Sequence, residues 1–136
     1  MSTKSELDKL IRGARNTIFK YKQTITDCND KIDRLKLVYD ELTDIKDSFR
    51  KARKETQKTF LEKGTWKGEK YTSFCNDGDA VDSACQEYYT RLDIAHDAIN
   101  TKIGELRATK RRLTPLIGGL WGDIAKWEAE IKNLVN

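Results

Sequence analysis

Residues Gly64 to Gly68 read GTWKG, at the middle of a chain of 136 residues. Glycine lacks a Cβ and adopts the left-handed conformation that commonly follows the last turn of a helix. Two glycines here bracket a point where two long, breaker-poor runs meet. Their spacing predicts a reversal of the chain at residues 63–69. The tryptophan between them is larger than a turn requires. Its ring is expected either to close the tip of a hairpin by packing between helix ends or to offer an anchor to another protein.

The run before the turn carries an unbroken helical signal. Steps of four and three from Leu7 meet Ile11, Ala14, Ile18, Tyr21, Ile25, Cys28, Ile32, Leu35, Tyr39 and Leu42, each apolar or small. That period places one stripe along a helix. The apolar stripe slips near Ile45 and resumes at Phe49, Ala52 and Phe60. Thr3 or Ser5 can cap the start, with Glu6 or Asp8 following. Helix one is predicted over about residues 4–62.

The run after the turn repeats the pattern. Its stripe is Phe74, Gly78, Val81, Cys85, Tyr88, Leu92, Ala95 and Ile99, then a skipped residue, then Ile103, Leu106, Lys110, Leu113, Ile117, Leu120, Ile124, Trp127, Ile131 and Leu134. Pro115 has no amide hydrogen and crowds the preceding turn. Gly118 and Gly119 weaken the next one. Thr114-Pro115 also suits an N-cap followed by proline in a first turn. A kink or break is therefore expected near 114–119, giving helix two over about 70–113 and a C-terminal helix over about 115–134. The fold class is all-α: a long antiparallel helical hairpin, forming a single domain over residues 1–136.

Charges suggest a register. If the reversal is centred near residue 66, Arg50, Arg53 and Lys54 lie opposite Asp82, Asp79 and Asp77. Glu41 then faces Arg91, and Asp30 faces Lys102. Lys20 and Lys22 would meet Arg111 and Arg112, so that end must splay, take an acidic partner or adopt another register.

Composition excludes several classes. Charged residues make up 35% of the chain and apolar residues 38%, a balance that suits amphipathic helices more than a large globular core. The net charge of +4 is milder than that of a dedicated nucleic-acid binder. No run approaches the roughly 18 apolar residues of a membrane span. No apolar leader follows Met1, so cytoplasmic synthesis is expected, with any export by a route that uses no cleaved signal. Cys28, Cys75 and Cys85 are odd in number and lack close spacing, which suits free thiols in a reduced compartment.

Catalysis is not expected. His96 lies in RLDIAHDAIN between Asp93 and Asp97, without a nucleophile or a second histidine. It is read as solvated or partner-facing. The segment Asn76 to Asp79 lacks the later ligands of a calcium loop. No metal ligands, cofactor-binding residues or phosphate loop are assigned. The basic runs at 50–54 and 110–112 are read as solvated faces, with nucleic acid not expected as a partner.

A lone hairpin has one seam and leaves apolar side chains half exposed, which marks a partner surface. The candidate interface residues are Ile18, Tyr21, Ile25, Tyr71, Phe74, Tyr88, Leu92, Trp121 and Trp127, with Phe19 and Tyr89 also flanking the seam. Pairing with another helical hairpin would give a four-helix bundle.

With Trp66 and Gly68 at its bend, the hairpin resembles the WXG-type proteins of type VII secretion, which carry Trp-x-Gly in the connecting turn. It is most similar to the YwqH-like family, small helical proteins encoded beside LXG-domain toxins in Gram-positive bacteria. Trp66, Gly68, Phe74 and the heptad stripes carry that resemblance. It implies a non-enzymatic partner that covers the helical N-terminal region of an LXG toxin, as targeting factor or chaperone. It implies further contacts with the secretion machinery and with another small WXG-like protein, and no direct membrane insertion. WXG-type export signals read Tyr-x-x-x-Asp/Glu after the second helix. Here the tail holds no match, and Tyr89-x-x-x-Asp93 fits only from within helix two. Either the partner supplies the signal or a composite one forms in the complex. The readings from other classes are a self-associating coiled-coil adaptor and a nucleic-acid-binding helical protein.

Overall fold

The computed structural model describes the backbone of residues 3–62 and 69–135, with the side chains of 56, 57, 59–62, 69–76 and 135 outside the description. Trp66 and Gly68 lie outside the described residues, as do the side chains of Tyr71 and Phe74. Two helices make up the described chain: α1, Lys4–Glu62, and α2, Glu69–Val135. They pack against each other as an all-α helical hairpin.

Of the two caps foreseen for α1, Thr3 is used. The Glu6 amide donates to Thr3 Oγ1 at 3.2 Å, and the Thr3 amide donates to the Glu6 carboxylate at 3.4 Å. This reciprocal arrangement satisfies two of the amides that a helix start leaves without partners.

α2 runs unbroken to Val135 with Pro115 inside it. Of the kink or break expected at 114–119, the break, and with it a separate C-terminal helix, does not occur. Proline inside a helix costs about 3 kcal/mol. Leu113 precedes it and Ile124 follows it, both buried on the seam. Each such side chain contributes about 1.5–3 kcal/mol on burial, so a continuous helix that seats both offsets the lost bond. Thr114 is no cap: its hydroxyl donates to the Lys110 carbonyl at 2.9 Å, one turn back.

The chain divides into two compact units, Met1–Arg34 with Lys102–Asn136, and Leu35–Thr101. The first unit holds the apolar core. Leu7, Ile11, Ala14, Ile18, Cys28 and Ile32 of α1 are buried in it, with Ile103, Leu106, Leu113 and Ile124 of α2. Ile11, Ala14, Ile18 and Ile124 form one cluster, against which Ile117, Leu120, Trp127 and Ile131 pack. At its flank Arg15 pairs with Glu128 at 3.0 Å.

The second unit is built differently. Among its described residues, Leu92 is the one buried apolar side chain, and His96 is buried beside it in sequence. Leu35, Tyr39, Leu42, Phe49, Cys85, Ala95 and Ile99 are half-buried. Between them the seam passes through polar side chains: Lys46 and Arg53 on α1, Asp82, Tyr89 and His96 on α2. These positions continue the alternation of four and three without interruption. The slip near Ile45 and the skip before Ile103 are therefore not features of the helices. Ile45 stands 44% exposed, off the seam, and Lys46 takes the seam position.

Register differs from the charge-based expectation. In the second unit the facing residue numbers add to 135 for Arg53 with Asp82 and to 139 for Lys46 with Asp93. In the first they add to 143 for Arg15 with Glu128. A reversal centred near residue 66 makes facing numbers add to about 132, below all three of these. Arg91 instead pairs with Glu87 on its own helix, and Lys102 with Glu105. The clash of Lys20 and Lys22 with Arg111 and Arg112 disappears in this register, and the Lys22 ammonium stands 5.4 Å over the Trp121 ring.

Candidate functional site

The histidine read as solvated is buried, 8% exposed. It follows Leu92 by four and precedes Ile99 by three, so heptad spacing alone turns it into the seam. Its ring stacks on Tyr39 with centroids 4.1 Å apart. His96 Nε2 lies 3.1 Å from the Tyr39 carbonyl and 3.2 Å from Thr43 Oγ1, and the Thr43 hydroxyl donates to that same carbonyl at 3.1 Å. The Tyr39 carbonyl and the Thr43 hydroxyl thus both take Nε2 of His96 as a polar partner. The layer joins α1 to α2 by ring contact and hydrogen bond at one axial position. Polar layers of this kind specify the register of paired helices.

The next turns toward the α1 C-terminus are held by charge. Lys46 binds Asp93, and Arg50 donates to the Tyr89 hydroxyl. The hydrogen bond to Asp93 raises the Lys46 pKa above the ordinary 10.5, against the opposing effect of burial. The bond to Tyr89 likewise raises that of Arg50. Both cations also lie over the Tyr89 ring, at 5.0 and 5.6 Å from its centroid. Arg53 completes the series on Asp82 at 2.8 Å. Tyr89 and Asp93, the candidate export-signal pair, are thus both engaged by cations of α1.

The sequence-selected interface residues fall into three groups. Ile18 and Leu92 are buried in the hairpin itself and present nothing to an outside molecule. Tyr21, Ile25 and Trp127 are half-buried. Tyr88 and Trp121 are outward, each 45% exposed. Tyr88 packs on Phe49, centroids 4.9 Å apart, and with Ile45 and Ala52 lines an apolar hollow of about 430 Å³ in the second unit. Val81 is exposed one helical turn before Cys85. In the first unit a second apolar groove, about 290 Å³, runs between Thr17 and Tyr21 of α1 and Pro115, Leu116, Gly119 and Leu120 of α2. Leu116 is 46% exposed there, and Asp123 also lines the groove.

Among the described residues no cluster of three or more His, Cys, Asp or Glu could hold a metal ion. Cys28 is a buried free thiol and Cys85 a half-buried one. No helix among the described residues is long and apolar enough to cross a membrane.

Lys46, Arg53, Asp82, Tyr89 and His96 of the second unit's seam join the two helices, and several large apolar side chains lie on outer faces. That defines a class: a helical hairpin with an apolar core in its first unit, a seam of mixed polar and apolar side chains in its second, and further apolar side chains on its outer faces. The chain belongs to the YwqH-like family, whose model matches residues 10–120. No curated protein and no solved structure matches it.

Proposed function

We propose that this chain is a non-enzymatic partner that binds the helical N-terminal region of an LXG-type toxin and serves as its targeting factor or chaperone in type VII secretion. One observation carries the reading: a member of the YwqH-like family is built as a hairpin whose apolar hollows stay open to solvent. A hairpin of two helices leaves such faces for a third helix to cover. Helix-on-helix burial is then the whole mechanism, and the Tyr88 and Leu116 faces are its contact surfaces. The WXG-like protein of the same system would complete a bundle on the face the toxin leaves open.

The test is co-expression of this chain with the N-terminal region of a neighbouring LXG toxin. A stable heteromer on co-purification is the expected result. A homo-oligomer by light scattering that ignores every such region would replace the reading with that of a self-associating adaptor.

A further inference from the structure

The two flanks of the second unit's seam differ in kind. On one, seven-residue steps meet Val38, Ile45 and Ala52 of α1 and Val81, Tyr88 and Ala95 of α2, each apolar or aromatic. Val38, Ile45, Val81 and Tyr88 are 43–47% exposed. Contacts settle that the two sets share a side: Ile45, Ala52 and Tyr88 line one hollow together with Phe49 of the seam. On the other flank the same steps meet Lys36, Thr43 and Arg50 of α1 and Gln86, Asp93 and Asn100 of α2, all polar. That flank carries the bonds from Lys46 to Asp93 and from Arg50 to Tyr89. The more exposed Leu37 and Ile94 lie on the backs of the helices, off both flanks.

The apolar flank has the form of a helix site. Its side chains recur every seven residues on both arms, the period at which one helix meets another along its length. Val38 to Ala52 spans about 21 Å, or about four helical turns. The main-chain groups of α1 and α2 are engaged in their own ladders. An extended segment buried here would leave its amides and carbonyls without partners, whereas a helix satisfies its own. The rim is acidic at one end. Asp44 lines the hollow, and Glu41 lies one turn before Ile45 on the same flank. Arg91, one turn past Tyr88, is bonded to Glu87 of its own helix, and Lys51 stands at the far end beside Ala52. Acids beside an apolar hollow repel phosphate and favour a cationic edge on whatever enters.

From the sided apolar stripe, its heptad period and its acidic rim together, we propose that the Ile45–Tyr88 flank docks an amphipathic helix of another protein as a third helix against the second unit. The occupant is about four turns long or longer. Its apolar heptad stripe fills the groove, and Lys or Arg lies on the edge that passes Glu41 and Asp44. The surface takes its partner's identity from the reading under Proposed function, and its chemistry from the groove alone.

Three probes are titrated against the full chain: a synthetic helical peptide with a heptad Leu stripe edged by Lys, the same peptide with Glu in place of Lys, and the toxin N-terminal region. The Lys peptide is expected to bind, less tightly as salt rises, and the Glu peptide roughly tenfold more weakly. Glu41→Lys with Asp44→Lys is expected to weaken the Lys peptide and the toxin region by roughly tenfold or more. Asp40→Lys with Asp47→Lys makes the same change of charge on the polar flank and is expected to leave both unchanged. Ile45→Ser with Tyr88→Ser removes apolar contact and is expected to weaken both by roughly tenfold or more. The helical circular dichroism of every free variant is expected to match wild type. Equal weakening by the two charge variants overturns the docking surface, as does wild-type binding of the Lys peptide and toxin region by all three variants. So does a dimer of the free chain that Ile45→Ser with Tyr88→Ser dissolves and neither probe displaces, since a second copy then covers the flank. Lys-peptide binding that follows the expected pattern, with no toxin binding, overturns the toxin reading and leaves this surface standing.

Discussion

Gly118, Gly119 and Gly122 offer a direct test of what the hairpin requires of its own residues. All three sit inside α2, where glycine is a poor helix former because its unfolded chain has so much freedom to lose. A Cβ at any of them meets no atom within 4 Å. Replacement by alanine therefore adds helix propensity without a clash. The gain is about 0.5–1 kcal/mol per site, so about 1.5–3 kcal/mol for the triple variant if the sites act independently. For a chain of this size that corresponds to a rise in melting temperature of roughly 5–12 °C. Urea melts followed at the helical circular dichroism band, with an unchanged slope, measure it directly. A triple variant less stable than wild type would refute the reasoning, because it would mean that the glycines are required within the hairpin.

Pro115→Ala restores an amide able to reach the carbonyl of residue 111, and is expected to stabilise the protein by up to about 3 kcal/mol, read as a shift in urea midpoint. His96→Ala removes a buried, stacked and hydrogen-bonded ring, and should cost about 1–3 kcal/mol in the same assay. The bond from Lys46 to Asp93 raises the folded-state pKa of the lysine, so its stabilisation is complete below the ordinary value of 10.5 and is lost as pH rises through the higher folded value. Wild type should therefore lose more stability than Asp93→Asn on passing above that pH, and parallel curves would contradict it.

The heptad of Leu7 to Leu42 was legible because every seam position there is apolar or small, and the structure buries or half-buries all of them. The second unit was harder to read because the eye follows apolar residues. Ile45 and Ala95 drew the stripe off course, when the geometric period runs through Lys46 and His96. A long lysine stem can lie along a seam while its ammonium reaches a carboxylate at the edge, so residue type alone does not reveal the position. The spacing of His96 from Leu92 and Ile99 did hold the signal. The axial register escaped because a glycine-marked turn locates the centre of a connection and says nothing of the stagger between two helix ends. The continuity of α2 through Pro115 escaped because local propensity carries no account of the side chains that seat the helix on both sides. Of the candidate surface, Tyr88 and Trp121 were legible as aromatics beside the stripe.

Those pairs share a direction. In Arg15 with Glu128, Lys46 with Asp93, Arg50 with Tyr89 and Arg53 with Asp82, the cation always belongs to α1 and the acceptor to α2. The two arms are consequently not interchangeable. At these positions two α1 helices would set cation against cation, and two α2 helices would set acceptor against acceptor. These four pairs favour α1 against α2 over either arm against its own copy, and so act as a grammar of pairing. An invading helix that displaced α2 would have to supply acids or phenols at those same steps, and one lacking them would be left to the outer faces.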